Sequence, residues 1–132
     1  MTLQLPADAE PFIPKGGTLS DLSSAGVYCL TLERPDDLAA AWDREFDHRP
    51  GYWDELVHAT TVAYVGAAKD VLGRLEDHRD GEVRQTALTK VCAIEGLRNI
   101  WWFDSAEVAF ERESKLAMWL QNSRPSWYVH QR

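Results

Sequence analysis

In this 132-residue chain, two tyrosines that lie close to glycines are candidates for a reactive site. Tyr28 ends the tripeptide GVY at residues 26–28, and Tyr64 begins YVG at residues 64–66. Both tripeptides lie in runs typical of β-strands, so paired strands would hold the two phenols side by side. Because glycine has no Cβ, Gly26 and Gly66 would leave the neighbouring surface open to a bulky ligand.

Cations and carboxylates follow on segments with helical spacing. Arg74 and His78 are four residues apart and therefore share a helix face, and three glutamates (Glu107, Glu111 and Glu113) lie on the last predicted helix. A phenol, a guanidinium, an imidazole and a carboxylate together suit phosphodiester hydrolysis. The carboxylate would hold a divalent cation, the guanidinium would offset phosphate charge, and the phenol or imidazole would move the proton.

The periodicity of apolar residues predicts the strands and helices on which these side chains lie. The pattern predicts strands at 26–32, 61–66 and 98–103, and helices at 35–46, 67–78, 82–94 and 106–121. Residues 1–24 are predicted to be an irregular arm, 47–59 are ambiguous around a Pro-Gly turn, and 126–132 form a short aromatic tail. This order predicts an α/β (α+β) fold with a small sheet flanked by helices.

In their order and spacing these residues resemble the GIY-YIG nuclease family over about residues 25–125. GVY and YVG match its two signature tripeptides. Arg74 follows Tyr64 by ten residues and His78 follows it by fourteen, as the family's arginine and its His or Tyr do. Glu113 follows Ser105 by eight residues and matches the family's metal-binding glutamate.

The resemblance implies a single nuclease domain at 25–132 with a three-stranded antiparallel sheet. The implied activity is DNA cleavage that depends on one divalent cation, Mg²⁺ or Mn²⁺. Glu113 would bind the cation, Arg74 would contact the scissile phosphate, Tyr64 would activate water and Tyr28 would orient water or phosphate. Free tyrosine has a pKa of about 10, so nearby cations must assist Tyr64.

The resemblance also implies supporting roles and shows two departures from the family. His78 would assist proton transfer or bind phosphate, and Gly66 and Lys69 would contact the substrate. The family's tripeptides are usually about ten residues apart, so residues 33–58 are an insertion here. The family usually ends with Pro-x-x-Asn, but here Pro125 is followed by Tyr128 at the position of that Asn. Asn122 could replace the missing Asn.

The insertion holds most of the chain's negative charge. It has eight acidic and three basic residues, a net charge of -5 out of the chain's -7. One interpretation gives the insertion a purely structural role as a solvated covering helix. A more specific one is a surface for a homodimer or a protein partner, because four aromatic residues lie in it (Trp42, Phe46, Tyr52 and Trp53). The rest of the chain is nearly neutral, so the negative net charge of the whole protein does not exclude DNA binding. This charge distribution predicts weak, local, cation-dependent binding.

Other features limit the possible classes of protein. No apolar run is long enough to span a membrane and the N-terminus has no signal-peptide pattern, so we expect a cytoplasmic protein. Cys29 and Cys92 are expected to be buried and unpaired. His130 is expected to be structural, and Tyr128 could stack on a base or cap the core. Two alternatives stay open: a catalytically diverged nucleic-acid-binding relative, and a protein-interaction module on the same fold.

Overall fold

The computed structural model describes residues 25–71, 73–75 and 87–131. In these ranges the strands are β1 (Gly26–Glu33), β2 (Thr61–Ala68), β3 (Ala93–Trp102) and β4 (Trp127–Gln131). The helices are α1 (Leu38–Glu45), α2 (Trp53–His58), α3 (Ala87–Val91) and α4 (Ala106–Ser123). The predicted arm at 1–24 and His78 lie outside the described residues. No helix in the described ranges is long and apolar enough to cross a membrane.

The sheet has four strands in the order β3-β1-β2-β4. β1 is antiparallel to both β2 and β3, whereas β4 is parallel to β2. The α+β class is confirmed, but the prediction of three antiparallel strands is corrected to a mixed sheet of four. The aromatic tail joins the sheet because the Gln121 amide on α4 accepts a hydrogen bond from the Val129 backbone N–H at 2.8 Å and donates one to the Trp127 carbonyl at 2.6 Å.

Several predicted boundaries shift around the glycines. β2 continues past Gly66 to Ala68, so the helix predicted from residue 67 begins later. β3 begins at Ala93, inside the helix predicted at 82–94, and contains Gly96. The pairing of β1 with β3 has two register shifts close to that glycine, between Cys29 and Leu30 and between Thr31 and Leu32. Such irregularities insert an extra residue into one strand, and glycine tolerates them well.

The sheet separates two apolar layers. We call the side that carries Tyr28 and Tyr64 the tyrosine face; buried side chains of α1, α2 and α3 pack there, including Trp42, Leu56 and Leu88. The opposite side, the α4 face, carries other buried side chains of β1 and β2 that pack against α4 (Val27, Cys29, Ala63 and Val65 against Ala109, Ala117 and Leu120). Alternation of side chains along a strand assigns neighbouring residues to opposite faces.

The inserted segment covers the tyrosine face. The Asp37 side chain caps α1 by accepting a hydrogen bond from the Ala40 N–H. Trp42 is 2% exposed, its indole N–H donates to the His48 carbonyl at 2.9 Å, and its ring lies 5.7 Å from that of Trp53. The aromatic residues that motivated a partner surface thus contact each other and the core, and much of their apolar area is used inside the molecule.

Candidate functional site

The two signature tyrosines lie on adjacent strands and on the same face of the sheet. Tyr28 is opposite Gly66 in the β1–β2 register, and Tyr64 is opposite Leu30. Because residues two apart on a strand share a face, both phenols belong to the tyrosine face. Tyr28 is 0% exposed and Tyr64 is 1% exposed. The sequence placed these phenols next to each other, but it did not indicate that the protein itself would enclose both rings.

The space beside the two glycines is filled by the protein's own atoms. A Cβ on Gly66 would lie 2.7 Å from the Tyr28 Cζ, because the Tyr28 ring crosses directly over Gly66. A Cβ on Gly26 would lie 2.7 Å from the Trp101 carbonyl oxygen and 3.1 Å from the Val71 Cγ2. The expectation that both glycines leave an open surface for a ligand is therefore corrected: they make room for a tyrosine ring and for close backbone packing.

Arg74 lies in the helical turn that follows β2. Asp70 stabilises that turn, because its carboxylate accepts from the Gly73 N–H and its carbonyl accepts from the Arg74 N–H. Val71, one residue on, packs in the same core as Tyr28. The Nε of Arg74 is buried and has no hydrogen-bond partner among the residues described. A buried guanidinium donor without an acceptor could be satisfied by an anionic oxygen of a ligand.

Lys69 lies just before this turn and is exposed. Its position leaves the ammonium open to solvent at the end of β2, where a polyanion could reach it. His78, the other predicted cation of this segment, lies outside the described residues, so its role stays a prediction.

Glu113 lies on the α4 face, on the other side of the sheet from the tyrosines. It is 6% exposed and is the one buried charged residue among those described. Ala109 and Ala117 are four residues before and after it, so the three share one side of α4, and both alanines pack against the sheet. The structure therefore does not bring Glu113 together with Tyr28 and Tyr64, although the sequence placed all three in one site.

The described residues do not fit a cation shared by Glu113 and the tyrosines. No group of three or more His, Cys, Asp or Glu side chains close enough to hold a metal ion occurs in the described part of the chain. Magnesium can bind through one carboxylate and several waters, so this alone does not decide the matter. The deciding feature is the sheet, which lies between the packed row of α4 that carries Glu113 and the face that carries both phenols.

A histidine that the sequence analysis assigned to the structure lies beside Tyr64. His130 of β4 is the register partner of Tyr64, and their rings stack with centroids 6.0 Å apart. The Tyr128 hydroxyl lies 2.8 Å from the His130 Nδ1, and the Tyr128 ring stacks on Tyr52 at 5.1 Å. The run of Trp127, Tyr128 and Val129, three residue types that favour strands, was the available signal for this strand.

Burial holds both members of the Tyr128–His130 pair in their neutral forms. It lowers the pKa of His130 below its ordinary 6.5. Burial also raises the pKa of the Tyr128 phenol, and Tyr52 and Glu55 raise it further. Two neutral groups can share this hydrogen bond, and the imidazole tautomer decides whether the Tyr128 hydroxyl or the His130 Nδ1 donates it. The resemblance aligns Tyr128 with the terminal Asn of GIY-YIG nucleases, and Asn122, the predicted substitute, is exposed near the end of α4.

Comparison with family models, with curated proteins and with solved structures finds no match to this chain. The likeness to GIY-YIG nucleases therefore depends on the residues and their spacing.

Proposed function

We propose that the protein is a DNA endonuclease of the GIY-YIG type that hydrolyses phosphodiester bonds and depends on a divalent cation, Mg²⁺ or Mn²⁺. The observation that carries the proposal is the register of the two signature tripeptides. Tyr28 lies opposite Gly66, with its ring over that glycine, and Tyr64 lies on the same face two residues earlier in its strand. Two distant tripeptides thus come together as one structural unit.

Arg74 gives the second support. Its buried Nε has no hydrogen-bond partner in the described ranges, and its turn packs on the tyrosine face. In the proposed reaction this guanidinium binds the scissile phosphate and offsets the charge that develops there. A cation near a phenol also favours the phenolate, which Tyr64 needs in order to take a proton from water.

The arrangement of these residues does not show how a divalent cation would take part in the reaction. The resemblance assigns the cation to Glu113, which is buried in the row of α4 that packs on the α4 face, whereas the reacting groups are assigned to the tyrosine face. When bound, such a cation would stabilise charge on the leaving oxygen. The protein's own residues supply the remaining functions: Arg74 and Lys69 bind phosphate, and Tyr28 and Tyr64 orient and deprotonate water.

The separation of Glu113 from the two tyrosines also favours a second candidate function. If Glu113 is a structural carboxylate under α4, the chain is a relative that binds nucleic acid without cutting it. The enclosure of both phenols, which are 0% and 1% exposed, also favours this alternative, because a water-activating base must reach water.

A plasmid-nicking assay separates the two candidates. The wild-type protein is incubated with supercoiled plasmid and Mg²⁺, Mn²⁺ or EDTA, and the Glu113→Gln variant is run alongside. The nuclease predicts nicking that needs the cation and is lost in Glu113→Gln while the melting temperature is kept. Binding of DNA without nicking in either cation supports the non-catalytic relative. Nicking that is equal in wild type and Glu113→Gln overturns the assignment of the cation to this carboxylate.

A further inference from the structure

Two buried side-chain N–H groups have no hydrogen-bond partner in the part of the chain that the structure describes. They are the Nε of Arg74 and the indole Nε1 of Trp102. A buried donor without an acceptor destabilises a folded protein, so nearly all such groups are paired with protein, water or a ligand. The buried indole of Trp42, for example, donates to the His48 carbonyl at 2.9 Å. The proposed function supplies an acceptor for Arg74, whereas the indole of Trp102 still lacks one.

Both donors belong to the same end of the sheet. Gly26, at the start of β1, is the register partner of Ala68 at the end of β2 and of Trp102 at the end of β3. A Cβ on Gly26 would lie 3.1 Å from the Val71 Cγ2 and 3.4 Å from the Trp102 Cε3. The indole and the helical turn that carries Val71 and Arg74 therefore pack around one position.

This corner of the sheet adjoins the signature phenol of Tyr28. Gly26 and Tyr28 are two residues apart on β1 and therefore share the tyrosine face. Trp102 packs against the same core cluster that contains Tyr28. As whole residues, Arg74 and Trp102 are only half-buried. A rotation of these two side chains can therefore present their N–H groups to a ligand without opening the core.

We propose that the Trp102 indole N–H donates a hydrogen bond to a phosphate oxygen of bound DNA, beside the phosphate contact of Arg74. The choice of DNA rests on the proposed function. An indole N–H only donates and a phosphate oxygen only accepts, so the two groups match in hydrogen-bonding type. Hydrogen bonds with an ionised acceptor are roughly twice as strong as those between neutral groups. A phosphate oxygen therefore suits this donor better than the competing acceptor, a water molecule, does.

Trp102 orients the DNA strand rather than attracting it, because an indole carries no charge. Phosphate contacts fix the position and register of a protein on DNA, whereas the salt dependence of binding comes from neutralisation of phosphates by cations. Loss of the Trp102 donor should therefore lower the affinity by the same factor at every salt concentration. Loss of the Arg74 charge should also make the slope of log K against log salt less steep, by about 0.9.

Fluorescence anisotropy of a short labelled DNA duplex, with EDTA present so that nothing is cleaved, is the first test. Trp102→Phe keeps an aromatic ring and removes the donor. It should weaken binding about 10- to 150-fold, which corresponds to one hydrogen bond to a charged group, and should keep the wild-type salt slope. The matched control is Trp101→Phe, the preceding residue of β3, which packs on the α4 face and should leave binding unchanged. Equal affinity of wild type and Trp102→Phe overturns the proposal.

Nuclear magnetic resonance of the wild-type protein tests the same contact if Trp102→Phe does not fold. In proton–nitrogen correlation spectra the Trp102 indole signal should move when the duplex is added. The indole signal of Trp42, which is already hydrogen-bonded inside the protein, should stay in place. Inorganic phosphate is the second probe. A Trp102 signal that moves with inorganic phosphate alone overturns DNA as the source of the phosphate, and a signal that moves with neither probe overturns the whole inference.

The outcomes also separate this inference from the nuclease proposal. Nicking by a wild-type protein whose Trp102 signal does not move with the duplex overturns the inference alone. A signal that moves with the duplex in a protein that nicks no plasmid supports the inference and overturns the nuclease, in favour of the relative that binds nucleic acid without cutting it.

Discussion

Replacing Gly66 by alanine should destabilise the protein, because the Tyr28 ring occupies the position of the new methyl group. The added Cβ would lie 2.7 Å from Cζ and 3.1 Å from Cε2 of Tyr28, well inside ordinary contact distances. Tyr28 is 0% exposed, so its ring cannot move without displacing other core residues. Overpacking of this kind costs about 1–3 kcal/mol.

Gly96→Ala is the matched control. It also lies inside a strand, but its nearest neighbour would be the Thr31 Oγ1 at 3.9 Å, an ordinary contact. Both substitutions reduce the conformational freedom of the unfolded chain by the same amount, which stabilises the folded state by about 0.4–1 kcal/mol. The difference between the two variants therefore isolates the contact with Tyr28 and should be about 1–3 kcal/mol.

Urea denaturation followed by circular dichroism measures this difference, and thermal melts should differ by roughly 4 °C per kcal/mol for a chain of this length. Adding Tyr28→Leu should reduce the cost of Gly66→Ala, since the clashing ring is gone. Equal stability of Gly66→Ala and Gly96→Ala would refute the packing argument. A Gly66→Ala protein that is fully stable but inactive would show that the glycine serves a ligand, as the sequence first indicated.

Three further outcomes follow from burial. Trp42→Ala should cost about 3–5 kcal/mol in urea denaturation, because a buried ring and its hydrogen bond to the His48 carbonyl are lost; a cost under about 1 kcal/mol would contradict the packing of α1. Since burial lowers the pKa of His130, the unfolded chain binds this proton at higher pH than the folded protein does. The stability that comes from keeping His130 neutral in the folded protein is fully present above about pH 6.5 and is lost as the pH falls through the lowered pKa. His130→Phe should therefore lose less stability than wild type between about pH 7 and 5. Burial raises the pKa of the Cys29 thiol to about 12 and that of Cys92 to about 11, so Ellman's reagent at about pH 8 should label both only after unfolding; rapid labelling of the native protein would contradict their burial.

The elements that sequence could predict are those whose signals are local. β1 and β2 carry dense runs of β-branched and aromatic residues, and α4 is N-capped by Ser105, whose hydroxyl accepts from the Val108 N–H. β4 has only five residues, and it forms through pairing with β2 some 65 residues earlier and through the Gln121 amide. Contacts over that distance leave no periodic signal of their own.

The candidate site was predicted only as far as each residue's own strand or helix. The register follows from alternation, so the common face of Tyr28 and Tyr64 could be inferred once their strands paired. The side of Glu113 could also have been inferred, because alanines four residues to each side mark the packed row of α4. The sequence did not show which face of the sheet α4 covers, because chain connectivity and the insertion at 33–58 decide that.

Removal of the Tyr64 phenol hydroxyl is the most direct test of the nuclease proposal. The rate of plasmid nicking in Mg²⁺ is compared between wild type, Tyr64→Phe and Tyr52→Phe, with melting temperature recorded for each. Tyr52→Phe removes a phenol hydroxyl from the same aromatic group but from outside the signature tripeptides. If Tyr64 activates water, Tyr64→Phe should slow nicking by about 10²-fold or more, as loss of a general base does, while Tyr52→Phe should nick like wild type. Equal rates for all three proteins would contradict it.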